Sequence, residues 1–276
     1  MTGKGGTGKT TFAVNLASQL AQNSKKVLLV ELSSRSAVAG LLEKKWKDLG
    51  YEPYSTEFGF DLCLLKGVDC LIDYIGSVMG VEKVAKKIFE TSIIRSLVNV
   101  APGLNDLAVL GKLTSHLREH GPGFEYDHII VDAPSTGSFY SLIKAPEILG
   151  KSVSRGPLRQ QSEGIQSILR DHDKVQFFVM TLFEAFSTDE LEDTLGVLAE
   201  FHKSQVSVVA NKYFHLNQVK GEDEIWKNFI MKVQEKISLQ RNRIKDLWSN
   251  SYSLELMLDP LEEFLARNNG ELLRKL

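Results

Sequence analysis

The sequence predicts an α/β protein, a mostly parallel sheet flanked by helices, on three observations. A glycine-rich turn close to the N-terminus runs straight into a helix-like segment. Short apolar runs then recur along the chain with helix-like stretches between them, and several of those runs end in a polar residue. Strands separated by helices need right-handed crossovers, which make the sheet mostly parallel, and polar residues at strand C-termini fall on the edge where such sheets bind ligands.

The turn is Gly3-Lys4-Gly5-Gly6-Thr7-Gly8-Lys9-Thr10, which fits the phosphate-binding pattern G-x-x-x-x-G-K-[ST]. Gly3, Gly6 and Gly8 lack a Cβ, so the backbone can adopt positive φ and turn its N–H groups around a phosphate chain. Lys9 adds a point charge for the β- and γ-phosphates, and the Thr10 hydroxyl suits Mg²⁺. Gly5, Thr7 and Thr11 complete the candidate nucleotide-binding set. From Lys9 the chain reads as a helix with Phe12, Ala13, Leu16, Ala17 and Leu20 on one face, so the phosphates would meet a helix N-terminus. The bland alternative is a glycine turn before an ordinary helix; a chance match in a chain this long is on the order of one in a hundred.

Val27 to Val30 is a short apolar run ending in Glu31, Ile129 to Val131 ends in Asp132, and Val206 to Ala210 ends in Asn211. Runs of this kind suit strands covered on both faces. Val175 and Phe177 to Met180 form another before Thr181, after which Ser187 and Glu190 have capping-box spacing for a helix of Leu191, Thr194, Leu195 and Leu198. Residues 36 to 126 read as a largely helical insertion, with leucines and isoleucines broken by charges such as Lys83, Lys86 and Lys87, and with turn punctuation at Gly121-Pro122-Gly123. Residues 222 to 276 read as a C-terminal helical segment packing on the domain, with Ile225, Trp226, Phe229, Val233 and Ile237 at helical spacing. The whole chain, 1 to 276, is expected to form one nucleotide-binding domain.

Composition bounds the rest. With 276 residues and 43% apolar residues the chain can bury one large core. A net charge of -2 offers nucleic acid and anionic membranes no general attraction, and no apolar run approaches the length of a membrane span. Cys63 and Cys70 are too few for a disulfide framework and too far apart for a structural zinc pair, so they are expected to be packed thiols in a reducing cytoplasm. His116-Leu117-Arg118-Glu119-His120 matches H-x-x-E-H, yet no third zinc ligand is evident and a solvated helix face explains it better.

Lys4, directly after Gly3, makes the loop resemble the deviant phosphate loop of the MinD, ParA and ArsA group of dimeric P-loop ATPases. Asp132-Ala133-Pro134-Ser135-Thr136-Gly137 resembles the second switch of the ArsA branch, and Asn211-Lys212 looks like its adenine-contacting Asn. Ala101-Pro102-Gly103-Leu104 and Gly156-Pro157-Leu158-Arg159-Gln160-Gln161 are similar to the ArsA-like, so-called anion-transporting ATPases. The resemblance spans roughly residues 1 to 215. It implies a P-loop fold, ATP and Mg²⁺ as ligands, Lys9 on the β- and γ-phosphates, Thr10 on the metal, Asp132 holding that metal through water, and Asn211 on adenine. It implies also a homodimer in which Lys4 reaches the partner's nucleotide, and an as yet unidentified protein client. Phe214 stands where a guanine-specific N-K-x-D would need an acid.

Three departures shape what is expected. The ArsA-type first switch carries D-P-A-H, whereas Glu31-Leu32-Ser33-Ser34-Arg35 occupies that region and Ser33 stands at the water-orienting Asp. Slow hydrolysis is therefore expected, with Glu31 as the substitute carboxylate, or else nucleotide binding without turnover in a scaffold or positioning protein. Neither the zinc-binding C-x₂-C nor a three-thiol arsenite site can be built from two cysteines. Only Met1 and Thr2 precede Gly3, so the sequence shows no family strand ahead of the loop, and either the native start lies upstream or another segment takes that strand's place.

Overall fold

The computed structural model describes residues 1–23, 25–79, 103–118, 123–213, 224–248 and 252–255. In chain order the elements are β1 (Thr2–Gly3), α1 (Lys9–Gln22), β2 (Val27–Glu31), α2 (Ala37–Leu41), β3 (Tyr54–Ser55), β4 (Asp61–Leu64) and α3 (Gly67–Met79). After these come α4 (Leu104–Thr114), β5 (His128–Asp132), α5 (Thr136–Ser152), α6 (Pro157–Arg170), β6 (Phe177–Leu182), α7 (Ala185–Leu198), β7 (Val206–Tyr213), α8 (Glu224–Leu247) and β8 (Tyr252–Glu255). The chain divides into two compact units, one formed by Met1–Lys9 with the described residues from Gln176 onward, the other by Thr10–Val175.

The first unit is built on the parallel sheet β1-β6-β7-β8. A strand does precede the glycine turn, but it is only two residues long: Thr2 pairs with Val179 and Gly3 with Met180. Val179, Met180, Val208, Val209 and Ala210 are buried almost completely, as expected for strands covered on both faces. The helix after β6 starts earlier than the capping-box spacing suggests. Glu184 is its N-cap, and Ser187, inside the first turn, accepts a hydrogen bond at its Oγ from the Leu182 N–H at 3.0 Å. Of the stripe expected on α8, Val233 and Ile237 are half-buried and Phe229 is 57% exposed, while the deeply buried apolar residue of the helix is Ile244, outside that stripe. The side chains of Ile225 and Trp226 lie outside the described ones, as do residues 256–276.

The second unit carries the sheet β3-β4-β2-β5, parallel except at β3. Its strand β2 is buried along its whole length, between β4 and β5, with Glu31 level with Leu64 on one side and Asp132 on the other. Fully burying Leu28, Leu29 and Leu62 stabilises the fold by about 2 kcal/mol for each side chain. The segment 36–126 is helical at α2, α3 and α4, but β4 within it belongs to the sheet. Leu62-Cys63-Leu64 is a short apolar run, and such runs do not distinguish a buried strand from part of a buried helix. Residues 80–102, which hold Lys83, Lys86, Lys87, Ala101 and Pro102, lie outside the described residues, and so do Gly121 and Pro122. Among the described residues no helix is long and apolar enough to cross a membrane.

Candidate nucleotide site

The glycine turn hangs from β1 and closes on itself through one carbonyl. Lys4 O accepts hydrogen bonds from the Thr7 N–H at 3.4 Å, the Thr7 hydroxyl at 2.8 Å and Lys9 Nζ at 3.1 Å. Lys9 Nζ also donates to Gly3 O at 2.9 Å, so the ammonium is folded back into the turn. Two glycines are fixed by space as well as by φ. At Gly3 (φ 139°) a Cβ would stand 2.2 Å from Met180 O, and at Gly8 (φ 89°) it would stand 2.3 Å from Asn211 Nδ2. Both distances are closer than a real Cβ makes: at Gly3 the obstacle is the backbone of β6, so a side chain would push the turn off that strand, and at Gly8 it is the Asn211 amide, which would have to give way.

The end of β7 grips the same turn. Asn211 Nδ2 donates to Thr7 O at 2.9 Å while its Oδ1 accepts from the Lys212 N–H at 2.8 Å. Lys212 takes a left-handed backbone conformation (φ 57°), uncommon for a side chain of this size, and its Nζ donates to Gly6 O at 3.0 Å. Asn211 is thus seated beside the turn, with its amide directed to the turn's backbone. Nothing in the spacing of Lys212 along the sequence reveals its bond to Gly6.

In the second unit, Thr10 and Asp132 meet. Thr10 Oγ1 donates to Asp132 Oδ2 at 2.6 Å, and Asp132 Oδ1 is buried yet accepts no hydrogen bond. A buried carboxylate oxygen without a donor is costly unless something cationic satisfies it. A hydroxyl and a carboxylate form a hard oxygen donor pair, and the orphaned oxygen beside it fits Mg²⁺ rather than a softer metal.

The first-switch region is less accommodating. Glu31 is 2% exposed and its carboxylate is already engaged by the start of α2, accepting from the Ser36 hydroxyl, the Ala37 N–H at 2.6 Å and the Val38 N–H at 3.1 Å. Burial pushes its pKa up, against the lowering effect of those three hydrogen bonds, and the Asp132 carboxylate adds to the rise. In this structure Glu31 therefore caps a helix, and its carboxylate is not free to orient a water. Ser33 closes a local turn, its Oγ accepting from the Arg35 N–H at 3.1 Å and donating to Arg35 O. A cavity of about 220 Å³ in this unit is lined by Ser33, Ser34, Lys66, Asp106, Pro134 and Ser138 among others, along both segments expected to act as switches. Asp106, in the first turn of α4, has a carboxyl that burial raises above its ordinary pKa. Its place in the sequence carries no motif.

The remaining candidates behave as packed or surface groups. Cys63 and Cys70 are buried free thiols whose pKa values burial pushes up to about 12. His116 lies in a 3₁₀ turn and His120 falls outside the described residues. Among the described residues, the one group with metal-ligand spacing is Asp171, His172 and Asp173 on a mostly exposed turn.

A glycine turn that links a parallel strand to a helix, closes around a lysine and is followed by a Thr–Asp pair defines the P-loop class of nucleotide-binding α/β proteins. Within that class, residues 1–157 match the family model of the anion-transporting ATPases, more than half of the 276 residues, and the chain belongs to that family. It is 29% identical over 220 residues to ATPase BagA of Mycobacterium tuberculosis, covering 77% of this chain and 64% of that one. A putative arsenical pump-driving ATPase of Aquifex aeolicus is 23% identical, covering 86% of this chain and 90% of its own. ATPase GET3 of Eremothecium gossypii is 22% identical, covering 76% and 70%. The chain thus spans a little under two thirds of the length of the mycobacterial relatives it matches.

Proposed function

We propose that the chain is an ATP-binding, slowly ATP-hydrolysing molecular switch that acts as a homodimer in the cytoplasm on a protein client. The observation that carries this reading is the Thr10–Asp132 pair with its orphaned Asp132 Oδ1, a donor set that fits the Mg²⁺ of a magnesium nucleotide. Thr10 and Asp132 are the residues that would hold the metal. Bound there, Mg²⁺ would neutralise charge on the terminal phosphates.

The chain's own residues divide the remaining work. Lys9, now spent on two carbonyls of the turn, has the reach and charge to bind the β- and γ-phosphates once they compete for it. Gly5, Gly6, Thr7, Gly8 and Thr11 supply the backbone and hydroxyl groups around the phosphates. Asn211 serves the adenine end, provided its amide leaves Thr7 O or shares it. Lys4 contacts the nucleotide of the partner subunit, and Ser135 to Ser138 order with the γ-phosphate. Nucleic acid is not expected as a partner at a net charge of -2, and no described helix is long and apolar enough to cross a membrane.

A second reading has a specific observation behind it. With Glu31 held by α2 and Ser33 closed on Arg35, no free carboxylate stands in the first-switch region among the described residues, which favours a nucleotide-dependent scaffold without turnover. Steady-state phosphate release separates the two. Turnover in wild type that Lys9→Ala abolishes supports the slow enzyme. ATP binding with no turnover in wild type supports the scaffold.

A further inference from the structure

Lys4 is the one cation of the glycine turn whose side chain does not bond a carbonyl of that turn. Its backbone is pinned, since its carbonyl accepts from Thr7 and Lys9, but among the described residues its ammonium pairs with no carboxylate. Instead Nζ sits 3.8 Å from the centroid of the Phe186 ring. An ammonium over an aromatic face at that range is drawn to the ring's negative quadrupole.

Phe186 is itself placed with care. It is the second residue of α7, and the start of that helix is locked to β6 below it. Ser187 Oγ accepts from the Leu182 N–H, and Thr188 Oγ1 donates to Glu184 O at 3.0 Å, with Ser187 and Thr188 both buried. From this fixed base the ring stands 62% exposed. A ring exposed to that degree has little core packing to lose, and its face is occupied by the lysine.

We propose that Phe186 is a positioning residue that parks Lys4 against its own chain when no polyphosphate is present, and releases it when a second copy presents one. Without the ring, the half-buried Lys4 side chain would be free to sample several orientations. Parked, it leaves the outer face of the turn open and is delivered only to a ligand whose charge outcompetes the ring. This rests on the dimeric reading above for its consequence, but the parking itself does not. The contact weighs against self-association by about two- to fivefold, the range expected of an exposed cation–π pair.

The test is a double-mutant cycle with a spectroscopic companion. Phe186→Leu keeps an apolar side chain and removes the π face. It is expected to lower the protein concentration for half-maximal ATP-dependent self-association by about two- to fivefold, while Phe186→Trp raises it and Phe186→Tyr stays near wild type. In a Lys4→Ala background Phe186→Leu should change nothing, which a merely structural role for the ring would not produce. Separately, the Lys4 ε-methylene proton resonance of the nucleotide-free wild type should lie upfield from ring current and return to an ordinary position in Phe186→Leu. An unshifted resonance overturns the proposal. So does weaker self-association of Phe186→Leu, or an equal effect with and without Lys4. If ATP drives no self-association in any variant but the resonance is shifted and Phe186-dependent, the parking stands and the dimeric reading of the function fails.

Discussion

Replacing Asp132 by Asn asks whether the carboxylate is there for the fold or for a metal nucleotide. In the nucleotide-free protein the change is close to isosteric: the amide oxygen can still accept from Thr10 Oγ1 at 2.6 Å, and the amide nitrogen takes the place of the orphaned Oδ1. One unpartnered buried atom is exchanged for another, and one charge-assisted hydrogen bond becomes neutral. The net cost to stability is therefore about 1 kcal/mol or less. With Mg²⁺ and ATP present the two proteins should part. Losing a charged acceptor in the metal's shell costs about 1.5–3 kcal/mol, a fall of about 10- to 150-fold in affinity for the magnesium nucleotide. The assay is nucleotide titration by calorimetry with Mg²⁺ and with EDTA, alongside urea denaturation of both proteins. Equal affinities under Mg²⁺, or a large loss of stability without nucleotide, would show that Asp132 serves the fold and refute the argument.

Three further outcomes follow from the same geometry. Gly8→Ala places a methyl group against Asn211 Nδ2 at a positive φ, so it should cost about 1–3 kcal/mol of stability and most nucleotide affinity, read by thermal melts with and without ATP. Glu31→Gln leaves at least one donor at the start of α2 poorly paired and should lower stability by about 1–3 kcal/mol while leaving the turnover of the folded fraction largely intact. Because burial raises the Glu31 pKa above its unfolded value, its contribution is greatest when protonated and is lost as pH rises. The stability gap between wild type and Glu31→Gln should accordingly be wider at low pH than at neutral pH, and denaturation at both checks it. Ser33→Asp keeps an acceptor for the Arg35 N–H and adds the missing carboxylate, so it should raise the rate of phosphate release; an unchanged rate counts against the assigned register of the first switch.

How far the sequence could be read depended on how local the cause was. The glycine turn and the strand positions of Asp132 and Asn211 were legible because they follow from local pattern: glycines where φ is positive, polar residues where apolar runs end. Glu31 was legible as a strand end but not as a helix cap, since its donors come from Ser36 to Val38 and depend on how the intervening loop folds back. Strand β4 was hidden because Leu62-Cys63-Leu64 is too short to show a period. Phe186 was out of reach altogether: its meeting with Lys4 arises from the pairing of Gly3 with Met180, which brings the residues after β1 and β6 together. The strand expected to be missing before the turn survives as two residues because Thr2 and Gly3 find a full-length neighbour in β6.

The most direct measurement is phosphate release by the purified chain under magnesium ATP, followed as a function of protein concentration with Lys9→Ala as the control. The account predicts slow release that Lys9→Ala abolishes and whose rate per chain climbs with concentration as the site is completed by a second copy. Release that is independent of concentration, or that survives Lys9→Ala, would contradict it.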